Sequence, residues 1–200
     1  MKLKRLFDIF GSFIGIIVLA PIMLLISFCI LITSGLPIIF KQKRVGRYGK
    51  DFVIFKFRSM VNVPNSINGS FDAGNSSRVT KIGKVLRYYK LDELPQLFNV
   101  LIGDMSIIGP RPEVRRWVEA YPEKWRKVHN VRPGISDPAS AGKYRNEESI
   151  LAKSQNPEQT YYEEILPEKL EIYISYSRNI NFLSDLRIIF TTIKAIFTKK

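Results

Sequence analysis

Two adjacent carboxylates, Asp92 and Glu93, are the residues of this chain best suited to chemistry. They stand in the string LDELP at residues 91–95, where the pattern predicts the start of a helix. Carboxylates there lie near the positive end of the helix dipole and its free N–H groups. We expect Asp92 to stay ionised, as a nucleophile or magnesium ligand must, while Glu93 handles a proton or tunes its neighbour. A purely structural role is the alternative, because Asp is a common N-cap.

Four cations accompany these carboxylates. Arg87 lies shortly before them, and Arg111 stands between two prolines, on a backbone stiff enough to present a guanidinium to phosphate with little ordering cost. Lys56 and Arg58 alternate with phenylalanines in a predicted strand, which places both cations on one face. Taken alone, the proline-flanked Arg111 also fits a rigid surface turn, and Arg87 fits a solvated helix face. The strand with Lys56 and Arg58 fits an amphipathic edge strand. Together, and beside a membrane, the two carboxylates and the four cations favour phosphoryl transfer to or from a lipid.

The membrane is indicated by residues 9–40, which carry no charged side chain across 32 positions. Both flanks are basic, and cytoplasmic flanks collect Lys and Arg, so both ends are expected at one face. Pro21 lies inside the run and is expected to kink or break the helix there. We predict a re-entrant membrane helix over residues 1–37, broken at Pro21. An ordinary transmembrane helix with a tolerated proline is the alternative, whereas a signal peptide has a shorter apolar run of about 7–15 residues.

The overall composition limits the partners and metal ions that this chain can bind. The chain has 200 residues and a net charge of +13, which implies an anionic partner. Lipid headgroups account for that charge more simply than nucleic acid once a membrane segment is present. The single cysteine, Cys29, and the single histidine, His129, exclude an intramolecular disulfide, a Cys-based zinc site and a His-dependent triad. Any metal is therefore expected to be a hard cation held by oxygen, which points to magnesium (Mg²⁺).

The pattern predicts an α/β fold in which helices dominate. Strands at residues 38–44 and 52–58 flank a loop with two glycines, so they form a small β-hairpin. A polar loop follows at residues 62–75. Helices are predicted at residues 82–89, 92–101, 113–129 with a break near Pro122, and from Asp185 onward.

Several of these helices are expected to be amphipathic and to lie at the membrane interface. The stretch with Trp117 and Trp125 carries basic residues that would face headgroups, and a buried tryptophan pair is equally allowed. The C-terminal helix from Asp185 alternates apolar and basic residues, so it lies on the membrane or packs against the domain.

The chain resembles the small monotopic phosphoglycosyl transferases, the bacterial sugar transferase family of polyprenyl-phosphate hexose-1-phosphate transferases. The likeness is dense from residue 2 to about residue 135 and thinner afterwards. The strings that carry it are KRLFD (4–8), QKRVG (42–46), FKFRSM (55–60), LDELPQLFNV (91–100), GDMSIIGPRPE (103–113) and VRPGI (131–135).

This resemblance implies an enzyme of the bacterial inner membrane, with residues 38–200 as a membrane-associated catalytic domain at the cytoplasmic face. It implies that Asp92 and Glu93 form a catalytic dyad. Asp92 attacks the β-phosphate of a nucleoside-diphosphate sugar, usually a UDP-sugar, and UMP leaves. Polyprenol (undecaprenyl) phosphate then takes the sugar phosphate from the aspartyl intermediate, with Mg²⁺ as cofactor and Asp92 as its ligand. Arg87 and Arg111 are implied to hold phosphate oxygens.

The chain departs from the family pattern in two places. Many members follow PGI with TGLAQ, whereas residues 136–140 here read SDPAS, and an acidic residue of many members is replaced by Tyr173. Arg145 is matched to an Arg-Asn pair of relatives and is carried over as a substrate-binding residue. These departures concern the nucleotide and sugar contacts and spare the dyad.

Two other classes of function compete with the enzyme. One is a lipid-binding assembly module that keeps the fold and has lost turnover, against which the intact dyad and arginines argue. The other is a membrane-tethered nucleic-acid binder, suggested by charge alone, which would bind DNA or RNA with steep salt dependence. We predict no nucleic-acid partner.

Overall fold

The computed structural model describes residues 2–61 and 77–198, without the side chains of residues 195–197. Helices dominate it, as predicted, and the polar loop predicted at residues 62–75 lies outside the described residues. The helices are α1 (Lys2–Ser34), α2 (Lys81–Tyr88), α3 (Gln96–Ile102), α4 (Arg115–Ala120), α5 (Pro122–Val128), α6 (Pro138–Ala141), α7 (Glu147–Lys153), α8 (Pro157–Thr160), α9 (Leu166–Arg178) and α10 (Phe182–Phe197). The strands are β1 (Ile39–Val45), β2 (Asp51–Phe57), β3 (Ser106–Ile108) and β4 (Gly134–Ser136).

Helix α1 runs through Pro21 without a break, so the predicted break at that residue is not found. Proline removes a single N–H, and a helix of 33 residues keeps the hydrogen bonds of the turns on either side. Among the described helices, α1 is the one long and apolar enough to cross a membrane. Its outer surface is apolar, with exposed side chains that include Phe13, Ile17, Leu24 and Leu25.

The first part of α1 is tied to the rest of the protein by polar contacts. Arg5 donates to the carbonyl oxygens of Val100 and Leu101, at 2.6 and 3.0 Å, in the last turns of α3. The buried carboxylate of Asp8 accepts from the Ser106 hydroxyl and the Ile107 N–H, each at 2.9 Å. The amphipathic pattern alone does not reveal these contacts, because the residues are far apart in sequence.

Strands β1 and β2 form the predicted antiparallel hairpin, each shifted by one residue from its predicted bounds. The register runs from Ile39 opposite Phe57 to Val45 opposite Asp51. A 3-10 turn over Arg47–Gly49 joins the strands.

Strands β3 and β4 form a short parallel pair that the sequence pattern did not predict. Ser106 pairs with Gly134, and Ile108 pairs with Ser136. The two backbones approach so closely that a Cβ on Gly134 would lie 2.0 Å from the nitrogen of Gly109. Three-residue strands leave no alternating pattern long enough to recognise, which is why the pair was missed.

Trp117 and Trp125 are buried, so they belong to the core and do not face headgroups. The Trp125 indole N–H donates to the carbonyl oxygen of Trp117 at 3.0 Å, which satisfies its polar atom inside the core. The predicted break falls at Tyr121, between α4 and α5. The core around these tryptophans is completed by residues of α9 and the turn before it, including Tyr161, Leu166, Leu170 and Tyr173.

The C-terminal helix α10 begins three residues before the predicted start. The side chain of Asn181 caps it by accepting from the Leu183 N–H at 3.0 Å. Asp185 in its first turn is buried, and it accepts from the Tyr176 hydroxyl at 2.7 Å and from Lys4. The start of α10 therefore packs against the domain, while Leu183 and Phe190 remain exposed.

A buried ion pair between Lys169 and Glu147 gives a test of this core. Lys169 is only 1% exposed, and its ammonium lies 2.9 Å from the Glu147 carboxylate. Glu147→Gln leaves the buried ammonium without its countercharge, so we expect a loss of about 3 kcal/mol in the free energy of unfolding. Lys169→Met removes the buried charge itself and leaves Glu147, whose side chain is 22% exposed and can be hydrated, so it should cost less than about 1 kcal/mol. Denaturant unfolding of the detergent-solubilised protein measures both.

The exposed pair Arg126–Glu123 supplies the control. Glu123→Gln should leave the free energy of unfolding unchanged within error, because exposed ion pairs contribute little. Equal losses in the Glu147 and Lys169 variants would contradict the role assigned to the buried ammonium.

Candidate active site

The predicted helix over residues 92–101 is in fact two pieces. A 3-10 turn over Leu91–Glu93 comes first, and α3 begins only at Gln96. Pro95 has no N–H with which to bond the Leu91 carbonyl, and that oxygen accepts instead from the Leu94 N–H at 3.3 Å. Asp92 is therefore not the N-cap of an α-helix, and the helix-dipole argument for its ionisation does not apply.

Glu93 is the centre of an ion-pair cluster. Its Oε1 accepts from Lys56 Nζ at 2.8 Å and from an Arg111 guanidinium nitrogen at 3.0 Å. Burial by itself raises the pKa of Glu93, but the charges of Lys56 and Arg111 outweigh it and hold that pKa well below its usual range. A carboxylate held so firmly in its ionised form is a poor proton acceptor. Of the two predicted roles of Glu93, tuning its neighbour fits better than handling a proton.

Asp92 is half-buried beside this cluster. Burial raises its pKa from 3.8, Lys56 lowers it, and the negative charge of Glu93 raises it further. The net direction is upward, contrary to the expected helix-dipole effect. Arg87 and Arg111 act in the opposite direction and favour the ionised form. Asp92 is thus a carboxylate whose charge depends on the cations around it.

Arg87 reaches the site from the last turn of α2. Its guanidinium donates to the carboxylate of Glu148 at the start of α7, and its charge acts on Asp92. Glu148 was not singled out by any sequence pattern, because an acidic residue in a first helical turn is common. Glu148 is largely exposed, so an anionic ligand can compete with it for Arg87.

Arg58 and Arg145, both predicted to bind substrate, lie elsewhere. Arg58 is buried and donates to the carbonyl oxygens of Ser34, Gly35 and Leu36, where α1 ends. It therefore caps α1, a role consistent with a cation at a helix C-terminus. Arg145 is exposed between α6 and α7 and donates to Thr198 Oγ1 at 2.9 Å. The structure brings Lys56, Arg87 and Arg111 to the dyad, whereas Arg58 binds the end of α1 and the substrate-binding role of Arg145 stays a prediction.

Asn99 is a buried residue that the sequence did not single out. Its Nδ2 donates to the Val53 carbonyl at 2.7 Å, and its Oδ1 accepts from the Phe55 N–H at 3.0 Å. Both bonds fasten α3 to β2, the strand that carries Lys56. The amide therefore fixes the strand against the segment that carries Glu93, and no local pattern distinguishes such an asparagine.

The carboxylates of this site can be compared with the oxygen ligands that magnesium requires. The described residues contain no cluster of three or more acidic, histidine or cysteine side chains able to hold a metal by themselves. Mg²⁺ is commonly bound by one or two carboxylates together with substrate phosphate oxygens. Glu93 is engaged by Lys56 and Arg111, so Asp92 is the carboxylate left to share a cation with a bound diphosphate. The site fits a substrate-dependent magnesium ion.

The geometry combines a half-buried carboxylate with three surrounding cations. Lys56, Arg87 and Arg111 come from a strand, a helix and a proline-flanked segment, and all three act on Asp92. Cations so arranged attract phosphate oxygens, and Arg can bind them in a bidentate manner. A nucleophilic carboxylate within an anion-binding site suits transfer of a phosphoryl group.

Comparison with known proteins identifies the family of the chain. The family model described as "Bacterial sugar transferase" matches residues 1–199. A UDP-glucose:undecaprenyl-phosphate glucose-1-phosphate transferase of Klebsiella pneumoniae is 38% identical over the whole chain, which covers 41% of that protein. A UDP-N-acetylgalactosamine-undecaprenyl-phosphate N-acetylgalactosaminephosphotransferase of Aeromonas hydrophila is 37% identical over 98% of the chain, which covers 44% of it.

These two relatives are longer proteins, and the chain spans less than half the length of each. A relative of similar length is the exopolysaccharide production protein PSS of Rhizobium leguminosarum bv. phaseoli. It is 34% identical over the whole chain, which covers 97% of it. By the family match over residues 1–199 and by these identities, the chain belongs to the bacterial sugar transferase family.

Proposed function

We propose that this protein is a phosphoglycosyl transferase that moves a sugar-1-phosphate from a UDP-sugar to undecaprenyl phosphate, the first membrane step of glycan assembly. The observation that carries the proposal is the position of Asp92, a half-buried carboxylate directly before Glu93, whose carboxylate pairs with Lys56 and Arg111. The names of the Klebsiella and Aeromonas relatives support the donor and acceptor classes.

In the first step, an oxygen of Asp92 attacks the β-phosphorus of the UDP-sugar. The bond between that phosphorus and the bridging oxygen breaks, and UMP leaves with the bridging oxygen. The sugar phosphate is then held on Asp92 as an acyl phosphate. Arg87 and Arg111 neutralise the phosphate oxygens, while ionised Glu93 keeps Lys56 and Arg111 in place beside the reacting group.

In the second step, a phosphate oxygen of undecaprenyl phosphate attacks the same phosphorus. The bond to Asp92 breaks, and its carboxylate is restored. The product is an undecaprenyl-diphosphate-linked sugar. Because the leaving UMP and the incoming lipid phosphate use the same cations in turn, one site serves both transfers. Asp92, together with diphosphate oxygens of the substrate, would hold Mg²⁺, which would supply positive charge to the diphosphate.

The proposed location is the cytoplasmic face of the bacterial inner membrane. Basic residues flank the apolar segment on both sides, which favours a re-entrant placement of α1 with both ends at the same face. Because α1 is continuous through Pro21, this placement requires the helix to bend at that proline without breaking. The exposed apolar surface of α1 supports its immersion in lipid.

The reaction is tested by UMP release from a panel that begins with UDP-glucose and UDP-N-acetylgalactosamine, with Mg²⁺ and undecaprenyl phosphate in detergent. Asp92→Asn keeps the shape of the side chain and removes the nucleophile, so release should fall at least about a thousandfold. Radiolabelled sugar phosphate should be captured on the protein before acceptor is added.

The matched control is Asp51→Asn, which changes an exposed carboxylate paired with Arg115 and should leave the rate unchanged. Full turnover by Asp92→Asn would overturn the covalent mechanism. The absence of release from every donor by the wild-type protein would favour a module without catalysis.

The dependence on pH tests the influence of Glu93 on Asp92. The acidic limb of single-turnover UMP release should follow the pKa of Asp92, which lies above 3.8, with activity rising as Asp92 ionises. Glu93→Gln removes a negative charge that raises this pKa, so the limb should move to lower pH. An unmoved limb, or a shift to higher pH, would contradict the tuning role.

The membrane placement is tested by a small tag at either terminus of the chain, probed from each side of the membrane. A re-entrant α1 leaves both tags accessible only from the cytoplasm. A crossing helix places the N-terminal tag on the opposite side, and accessibility there would exclude re-entry.

A further inference from the structure

Arg87 and Glu148 form an ion pair at the edge of the candidate active site. Arg87 lies in the last turn of α2, and one of its terminal nitrogens donates to the Glu148 carboxylate in the first turn of α7. Its other terminal nitrogen lies 3.5 Å from the sulfur of Met60, which is only a weak acceptor. Within the described part of the chain, Glu148 is therefore the carboxylate that pairs with Arg87.

The first turn of α7 is anchored in the core, and this places Glu148 at the site. Glu147 precedes Glu148, and its carboxylate lies 2.9 Å from the ammonium of Lys169, which is buried in α9. Leu151, one turn further along α7, is fully buried in the core around the tryptophans. Of two adjacent carboxylates, Glu147 thus binds the core, and Glu148 extends to a cation of the site.

The cations of the site differ in how firmly their carboxylate partners are held. Lys56 and Arg111 share Glu93, whose side chain is only 12% exposed. The side chain of Glu148 is 69% exposed, so water can solvate its carboxylate once it leaves Arg87. Separating a buried pair is costly, whereas an exposed pair contributes little and separates easily. Arg87 is therefore the cation of this site that can exchange its partner.

A phosphate group is the chemical replacement for the Glu148 carboxylate. Carboxylate and phosphate oxygens bind the same N–H groups of a guanidinium, so the two compete for Arg87. In the proposed reaction, the site binds the donor diphosphate and must release UMP before the lipid phosphate enters. A carboxylate that returns to Arg87 favours that release.

We propose that Glu148 is an internal competitor for Arg87: it pairs with the guanidinium in the empty site, gives way to a phosphate of the donor, and returns as UMP leaves. This role rests on the proposed function. Glu148 acts through Arg87 and does not touch the reacting phosphorus, so it is a positioning residue. It weakens nucleotide binding and speeds product release.

Glu148→Gln tests the competition. The amide keeps the size of the side chain and removes its charge, so phosphate no longer competes with a carboxylate for Arg87. We expect UDP, measured by calorimetry with Mg²⁺, to bind about threefold more tightly than to the wild-type protein. In turnover, KM for the UDP-sugar should fall, and UMP should inhibit more strongly. A carboxylate that held Arg87 ready for phosphate would give weaker binding instead.

Glu148→Asp separates competition from simple repulsion between charges. It keeps the negative charge and shortens the side chain by one methylene, which weakens the contact with Arg87. Competition predicts tighter UDP binding by this variant too, whereas repulsion predicts no change. An Arg87→Gln background gives a second separation: without the guanidinium, Glu148→Gln should no longer change UDP affinity.

Glu158→Gln is the matched control. Glu158 is a carboxylate of the neighbouring α8 that pairs with Arg116, outside the site, so its replacement should leave UDP affinity unchanged. Unchanged or weaker UDP binding by Glu148→Gln would overturn the proposal. Unchanged binding by Glu148→Asp, or an equal gain in the Arg87→Gln background, would also overturn it. Failure of the proposed function is seen separately, as absence of Asp92-dependent UMP release by the wild-type protein.

Discussion

The paired interaction of Glu93 with Lys56 and Arg111 is the constraint on which the site depends. It joins three parts of the chain that are distant in sequence: strand β2, the 3-10 turn before α3, and the proline-flanked segment after β3. A carboxylate between two cations stays ionised despite its burial. The same cations are thereby held beside Asp92, whose own charge they support. Glu93 therefore organises the site, and Asp92 is left available to react.

The apolar helix α1 is built into the domain instead of being attached by a flexible linker. Arg5 and Asp8 bond to α3 and β3 near its start, and Arg58 caps its end. The segments that α1 contacts are those that lead into and out of the site. This arrangement keeps the long apolar helix in register with a polar site, which suits an enzyme whose proposed acceptor is a lipid phosphate.

Local sequence patterns predicted most elements and failed where distant contacts intervene. The hairpin was placed within one residue, because its strands alternate and its turn contains glycines. The start predicted for the helix at Asp92 was wrong, because Pro95 lacks the N–H that would continue the hydrogen bonding of the first turn. The tryptophans of α4 and α5 proved to be buried. The amphipathic pattern of these helices does not by itself distinguish burial in the core from contact with lipid headgroups. The break at Pro21 was not found, because one missing N–H does not end a long helix.

The sequence by itself determined the family, and it predicted the dyad and an arginine on either side of it, because these residues stand in short contiguous strings. It also determined that an apolar helix accompanies a basic domain. Tertiary structure alone decided which cations reach the dyad: Lys56 and Arg111 do, while Arg58 caps a helix. Burial and pairing between distant residues set the pKa of a carboxylate and the direction of a guanidinium, and neither is encoded in local spacing.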